Sequence, residues 1–501
     1  MSNRKSVLFF TNEEFGQTNV ILAVAYELLR QNEIDVHIAS WPAFQPRVAA
    51  LSEKVQAEKP EIEIRPIQFH VLPLSPMFDL WVQNGGSRSI IPHPPGKKGI
   101  TRLKKLVTEL FGVWNPTEYI MLFEMCKTLV NEINPGLIVL DPVFPPAHDL
   151  CRTLGLNYAV LSPCTLVPGL TPEQPWLAGF WKYPALSTGF PYPVPWNLIP
   201  ENLYCTWVII SSLWDPRIKA LDAARHALGI RGMLPSFTPW VKDVPHICPS
   251  LPEIDLPIVI PPNVHNTGPI LVAAPPIAES DPELLSWLEK RPTILVSLGT
   301  LFEAVPETVK ELCLGFRILL ETRSDIQILW KLKPKSNFKK EVDDIVQKLL
   351  FEELNEGRVR IESWLKAEPL AILESGHVIC GVHHGGANSY FETTWAGVPQ
   401  VVLPHWYDTY DYATRAEYLG IGVYGNYNVG HTRDVVEIDN YIPPTMVDHE
   451  EFGKALLEVV GKKPGDSDDM RKRARDLGNI CHNSGGRIMA AEIITELTSK
   501  K

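Results

Sequence analysis

The sequence predicts an α/β protein built from two similar halves, each a parallel sheet covered by helices. Three observations predict it. Short apolar runs alternate with helix-compatible segments, the pattern of strand–helix–strand units whose sheets are buried on both faces. The alternation occurs twice, on either side of a proline-dense stretch from about Val244 to Pro292. Finally, 501 residues are too many for one hydrophobic core and comfortable for two.

In the first half, Ser6–Phe10 reads as a buried strand, Val20–Gln31 as a helix by its apolar spacing and Val36–Ala39 as a second strand. Ile62–Ile67 reads as a third strand. Leu137–Leu140 is another, followed by a helix over Ala147–Leu154 and a strand at Tyr158–Leu161. The connector holds nine prolines from Pro245 to Pro276 and is semi-rigid and extended. The second half gives a strand at Thr293–Ser297, a helix at Glu307–Leu320 and strands at Ile326–Leu332, Val378–Val382 and Pro399–Leu403.

Function is most legible between Trp364 and Asp411, WLKAEPLAILESGHVICGVHHGGANSYFETTWAGVPQVVLPHWYDTYD. The buried strand Val378–Val382 breaks into His384-Gly385-Gly386-Ala387-Asn388-Ser389 and then a helix. A strand, a small-residue turn and a helix start present backbone N–H groups to an anion. Asn388 or Ser389 could cap the helix and donate to phosphate. Glu392, one turn beyond Asn388, could accept from a ribose diol. A loop from Pro404 to Asp408 follows the next strand. Singly, His384 or Trp364 would be read as core packing and Glu392 as a solvated helix residue. In register along one stretch they offer an aromatic plate, a diphosphate cradle, a ribose acceptor and a polar loop.

This stretch resembles the donor-binding signature of the family 1 UDP-glycosyltransferases. The resemblance implies that Trp364 stacks on uracil, that His384, Asn388 and Ser389, with Gly386 in the turn, meet the diphosphate, that Glu392 holds the ribose and that Asp408 holds the donor sugar. Ala367 stands where plant members have Gln. Thr409 stands where most members have Gln after the acid, which leaves the sugar open. The wording WYDTYDYATR is most similar to the fungal branch. Ser297-Leu298-Gly299-Thr300, between a strand and a helix, matches a second phosphate-contacting motif, with Gly299 allowing close approach and Thr300 a hydroxyl donor. Gly268-Pro269 matches a further landmark and reads as a turn.

The resemblance covers most of the chain and implies the GT-B fold, two Rossmann-like α/β domains facing across a cleft. The expected layout is an acceptor-binding domain over residues 1–250, a linker over 251–292, a UDP-sugar-binding domain over 293–466 and a C-terminal helix over 467–501 that crosses back to the first domain.

A formal charge of −11 argues against nucleic acid or anionic membrane surfaces as general partners. Hydrophobic residues at 45% and charged residues at 21% mark an ordinary globular chain. Eight scattered cysteines without a Cys-x-x-Cys pair fit reduced thiols in the cytosol rather than a zinc site or disulfide scaffold. The apolar run near the N-terminus is too short for a signal peptide, no run is long enough to span a membrane, and the chain ends in polar LTSKK. No metal and no separate cofactor are expected, the UDP-sugar being a co-substrate.

The acceptor side departs from the family. Its members invert the anomeric centre with a His, assisted by an Asp, taking the acceptor's proton. Asp141, after Leu137–Leu140, matches the Asp. Gln17 stands at the His position of Gly16-Gln17-Thr18-Asn19, and an amide is no base. Other histidines in this half are His37, His70, His93 and His148. Either Asp141, His70 or His93 takes the proton, or an acidic phenol ionises with little help while Gln17 orients its oxygen. Segments Pro73–Asn115 and Pro163–Trp207 are long, irregular and aromatic, as an acceptor pocket for a polyphenol, polyketide or sterol would be. The reading is a glycosyltransferase moving glucose, by family habit, from UDP-glucose to a small lipophilic acceptor. Its rivals are a non-catalytic UDP-sugar-binding protein, favoured by Gln17, and a lipid or sterol glycosyltransferase.

Overall fold

The computed structural model describes residues 5–86, 92–432 and 446–499. Residues 87–91 of the expected acceptor segment and the last two of the LTSKK end lie outside the described residues.

Seven parallel strands form the first sheet: β1 (Ser6–Phe10), β2 (Asp35–Ser40), β3 (Gln68–Val71), β4 (Leu137–Leu140), β5 (Tyr158–Leu161), β6 (His246–Cys248) and β7 (Val264–Asn266), in the order β3-β2-β1-β4-β5-β6-β7. Six parallel strands form the second: β8 (Thr293–Ser297), β9 (Gln327–Lys331), β10 (Val359–Glu362), β11 (Val378–His383), β12 (Gln400–Val402) and β13 (Gly422–Tyr424), in the order β10-β9-β8-β11-β12-β13. Central strands are apolar along most of their length because helices cover both faces. Along β1, Val7 and Phe9 enter one core while Leu8 and Phe10 enter the other. Ile294 and Val296 of β8 likewise pack opposite to Leu295.

Both sheets reverse direction beside their first strand. The chain leaves β1 for β2 and β3, then returns to β4 on the other side of β1. It leaves β8 for β9 and β10, then returns to β11. Where strand order reverses, the loops at the carboxyl ends diverge and open a crevice. The turn from Thr11 to Glu14 and Asp141 lie at the first crevice. Ser297–Thr300 and His384–Ser389 lie at the second.

Two segments join the halves. The proline-rich stretch first supplies β6 and β7 to the first sheet, and β7 makes the connector expected over 251–292 partly strand. The helix Asp468–His482 crosses the second domain, where Gly478 lies so close to Gly397 that a Cβ would stand 2.9 Å from its Cα. The helix Gly486–Ser499 then packs Ala490, Ala491 and Ile494 into the first domain's core. Arg487 Nε donates to Glu27 Oε1 at 2.8 Å and Lys5 Nζ to Ser499 O at 2.8 Å. A buried ion pair, Arg415 Nε to Asp255 Oδ1 at 2.6 Å, ties the helix Thr409–Leu419 to the connector.

The third strand differs from the expectation. Ile62–Ile67 is irregular, and β3 begins only at Gln68. Pro66 lacks an amide hydrogen. The amides of Ile64 and Ile67 donate instead to Gln56 Oε1 at 2.9 Å and Ser52 Oγ at 3.2 Å on the preceding helix. The segments expected to be irregular also carry helices, Met77–Gln83 and Ile100–Phe111 in one, Ala178–Trp181 and Ile199–Ile210 in the other. Trp81, Trp114, Tyr183 and Phe190 are buried in packing, whereas Trp176 and Trp196 are 90% and 84% exposed.

Candidate functional site

At the second crevice, β11 ends on two adjacent histidines with opposite roles. His383 is buried; its Nε2 lies 2.8 Å from Gln400 Oε1 and its Nδ1 accepts from the Gly385 amide at 3.0 Å, so it shapes the turn. His384 is held by the absence of side chains around it. A Cβ on Gly299 would stand 2.8 Å from its ring and one on Gly386 2.5 Å from it. Gly299 has φ +93° and Gly385 +85°, conformations that glycine adopts without strain. His384 Nδ1 is buried without a hydrogen-bond partner. Burial, together with His383, His405 and Lys331, drives its pKa down to about 3, so it is neutral and offers an N–H dipole, not a charge.

The helix Ala387–Trp395 starts at Gly386, which has no side chain to cap it, leaving its first amides and the Asn388 and Ser389 side chains at the crevice. Glu392 is pushed up to about 8, first by burial and then by Glu368, with Lys331 opposing. Trp364 is 56% exposed, and Lys331 Nζ stands 3.9 Å from its ring centroid. An indole plate, a carboxylate and an N–H cradle therefore line one crevice. Thr300 sits at the bend after β8 beside Gly299.

Asp408 occupies the N-cap of the helix Thr409–Leu419 but makes no capping hydrogen bond. Burial raises its carboxyl to about 6, eased by its own amide and Arg415. Thr409, next in the chain, has its hydroxyl engaged within the protein. It is 1% exposed, its Oγ1 accepts from the amides of His405 at 3.3 Å and Trp406 at 3.2 Å, and it donates to the Trp406 carbonyl. Its hydroxyl closes the turn that leads into Asp408.

At the first crevice, Asp141 is 2% exposed with both oxygens engaged. Oδ2 accepts from Thr11 Oγ1 at 3.2 Å, Asn12 N at 3.1 Å and Asn12 Nδ2 at 3.4 Å; Oδ1 accepts from Val143 N at 2.9 Å. Asp141 therefore buckles the turn after β1 to the end of β4, and a lone pair for an incoming proton is not what it presents. His148 Nε2 lies 2.9 Å from the Asp141 carbonyl, and that ring is buried as well.

Neither loop histidine is at the crevice as a base. His70, on the edge strand β3, pairs with His37 on its neighbour β2, Nε2 to Nδ1 at 3.0 Å, with rings nearly parallel. His93 is 3% exposed and bridges the domains: its amide donates to His405 O at 3.0 Å, its carbonyl accepts from Tyr410, Nδ1 lies 3.0 Å from Pro94 O and Nε2 accepts from Tyr407 N at 3.1 Å. It clamps the loop that presents Asp408. Cys164, after β5, feels the charges of both Asp408 and Asp141, which sets the two loop systems across one crevice.

The first crevice holds unmatched acceptors. Asn12 Oδ1, both carboxylate oxygens of Glu14 and Gln17 Oε1 are buried without a hydrogen-bond partner. Sequence reasoning passed over Glu14, Lys331 and His405. Glu14 had one signal: a Glu stands at a helix N-cap, where Ser, Thr, Asp and Asn are favoured. Lys331 and His405 reach the site through strand register and a loop, which no local motif records.

No family model matches the chain. It is 51% identical over 504 aligned residues to the glycosyltransferase sdnJ of Sordaria araneosa, covering 99% of this chain and 98% of that protein. It is 30% identical to UDP-glycosyltransferase 84A1 of Arabidopsis thaliana over 40% of this chain and 37% of the relative. Among solved structures it resembles a UDP-glucosyltransferase from Polygonum tinctorium capable of glucosylating indoxyl, with a TM-score of 0.62 at 15% identity and 100% coverage of both chains.

Proposed function

This chain belongs to the family 1 UDP-glycosyltransferases and has their GT-B fold, and from that premise we propose that it transfers a sugar, glucose, from a UDP-sugar to a hydroxyl of a small lipophilic acceptor with inversion. One observation carries the reading: the two crevices hold complementary unmatched groups. The second offers N–H donors on a glycine bed, an exposed indole and an acid. The first offers buried acceptors that a partner's hydroxyl would satisfy.

In this reading the diphosphate docks against the amides at Gly386–Ser389 and the His384 ring, with Gly299 and Thr300 opposite. Uracil lies on Trp364, the ribose diol on Glu392 and the sugar hydroxyls on Asp408. Fixed dipoles then stabilise the leaving UDP without reorganising. The acceptor hydroxyl approaches from the first crevice, where Phe78 packs on Trp81 at 5.2 Å beside the turn that carries Glu14. No helix among the described residues is long and apolar enough to cross a membrane, and all eight cysteines are free thiols, which supports a cytosolic setting.

Calorimetry with UDP, ADP and GDP, followed by mass spectrometry of UDP-sugars against phenols and sterols, tests the proposal. UDP should bind in clear preference and a hexose mass should appear on an acceptor. Equal affinity for the three nucleotides would overturn the donor assignment.

A further inference from the structure

We infer that Glu14 takes the proton of the acceptor hydroxyl, in the role that Gln17 cannot fill. The inference rests on the transferase reading above. Glu14 is the N-cap of the helix Phe15–Gln31, yet its side chain caps nothing; the helix is entered through the Glu14 carbonyl, which accepts from the amides of Gln17 and Thr18, both at 2.9 Å. The carboxylate is thus free of the duty such a position usually has. Both its oxygens are buried, and neither has a hydrogen-bond partner.

The backbone amides of Glu14 and Phe78 lie near enough to favour its charged form, but neither makes a well-formed hydrogen bond to it. A buried carboxylate so poorly matched is costly, and such groups concentrate where a ligand or a proton completes them. Glu14 lies within electrostatic reach of Asp141, at the reversal point of the first sheet. The unmatched Asn12 Oδ1 and Gln17 Oε1 belong to the same turn. Four buried oxygens with unmatched lone pairs, on Asn12, Glu14 and Gln17, describe a pocket for hydrogen-bond donors such as a hydroxyl.

The charged groups around Glu14 are Asp141 and Glu13, both acidic, with Asp79 acting on Glu13. Burial first, then Asp141 and Glu13, lift Glu14 to about 7, against the amides of Glu14 and Phe78. A base poised near neutrality combines availability with driving force. In the step, the acceptor oxygen bonds to the anomeric carbon as its O–H proton passes to a Glu14 oxygen. The bond from that carbon to the phosphate oxygen breaks, and its electron pair leaves with UDP. Asp141 holds the turn, and Gln17, whose amide can also donate, orients the acceptor oxygen.

The test uses the full chain with UDP-sugar and an aliphatic alcohol acceptor. Glu14→Gln keeps the shape and removes the base; turnover should fall roughly 10²–10⁴-fold, while UDP affinity by calorimetry stays within about two-fold. The acidic limb of kcat/KM near pH 7 should vanish, and formate should restore part of the activity to Glu14→Ala, which a merely structural role would not allow. A cooperative melt of Glu14→Gln, no lower than that of the wild type at the assay pH, confirms that it is folded. Wild-type turnover and pH limb in folded Glu14→Gln would overturn the inference while leaving the transferase reading intact. If the wild type binds no UDP and transfers nothing, the reading itself fails, and this inference with it.

Discussion

The two crevices arise from the same strand reversal and are equipped in opposite ways. At β8/β11 the loops are short and glycine-rich, so backbone amides, a neutral imidazole and an exposed indole face the opening. At β1/β4 the loops carry Asn12, Glu14, Gln17 and Asp141, and the unmatched atoms are acceptors. Parallel sheets put loop ends in the same place whatever the sequence; residue chemistry then decides which partner each opening takes. An anion needs donors, and a hydroxyl to be deprotonated needs acceptors.

The sharpest way to break this division is to alter the buckle of the first crevice. Asp141→Asn should cut transfer to an alcohol by roughly 10²-fold or more, because an amide nitrogen facing Thr11 and Asn12 would reposition the turn that bears Glu14. It should also lower stability by about 1–3 kcal/mol, since buried donors lose an acceptor. Steady-state kinetics and thermal melts check both. UDP affinity should be unaffected, because the second crevice makes no use of Asp141.

The converse changes lie at the second crevice. Gly386→Ala would drive a Cβ to 2.5 Å from His384 Nε2, so the ring must move. UDP affinity should fall at least tenfold by calorimetry. Glu392→Ala should weaken UDP binding by about 1–3 kcal/mol, because the ribose hydroxyls lose their buried acceptor. Neither change should remove the pH limb assigned to Glu14.

The two crevices also differ in how legible they were. Trp364, His384, Asn388, Ser389, Glu392 and Asp408 fall in one contiguous stretch, because β11, its turn, the next helix and β12 all border one opening. The first crevice joins residues 130 positions apart, as in Thr11 with Asp141, and its key group shows only as an atom without a partner. No spacing rule reports an unmet hydrogen bond. For the same reason the surroundings of His93 and Thr409 were not legible: type and position were visible, but the bonds that occupy their polar atoms were not. The strands β1, β4, β5 and β8 were legible to the residue because both faces are apolar. β3 was not, because it is an edge strand and side chains of the helix Gln45–Glu58 took its expected amides.

A smaller effect on stability sharpens the contrast. Glu14 is raised from 4.5 to about 7 in the folded chain. A raised acid binds its proton more tightly when folded, so its contribution to stability is best below pH 4.5 and declines as pH climbs to 7 and beyond. The decline is at most about 3 kcal/mol. Glu14→Gln should therefore melt higher than the wild type at pH 8 and no higher at pH 4. Equal melting at both would mean that the carboxylate is better solvated than its burial implies.

The smallest effect expected is at His70, and it separates the crevice from the sheet edge. His70 meets His37 at 3.0 Å on β3, and both rings are pushed below their ordinary pKa, His37 by burial and then by His70, His70 by burial against Glu132. One ring donates and the other accepts, so at neutral pH the pair holds the edge of the sheet together without carrying charge. His70→Gln keeps a hydrogen-bonding group at that edge. Turnover, UDP affinity and the pH limb should all stay within about two-fold of the wild type, with a stability change near 1 kcal/mol. A tenfold fall in kcat with folding intact would put His70 in the path of the proton and reopen the choice between it and Glu14.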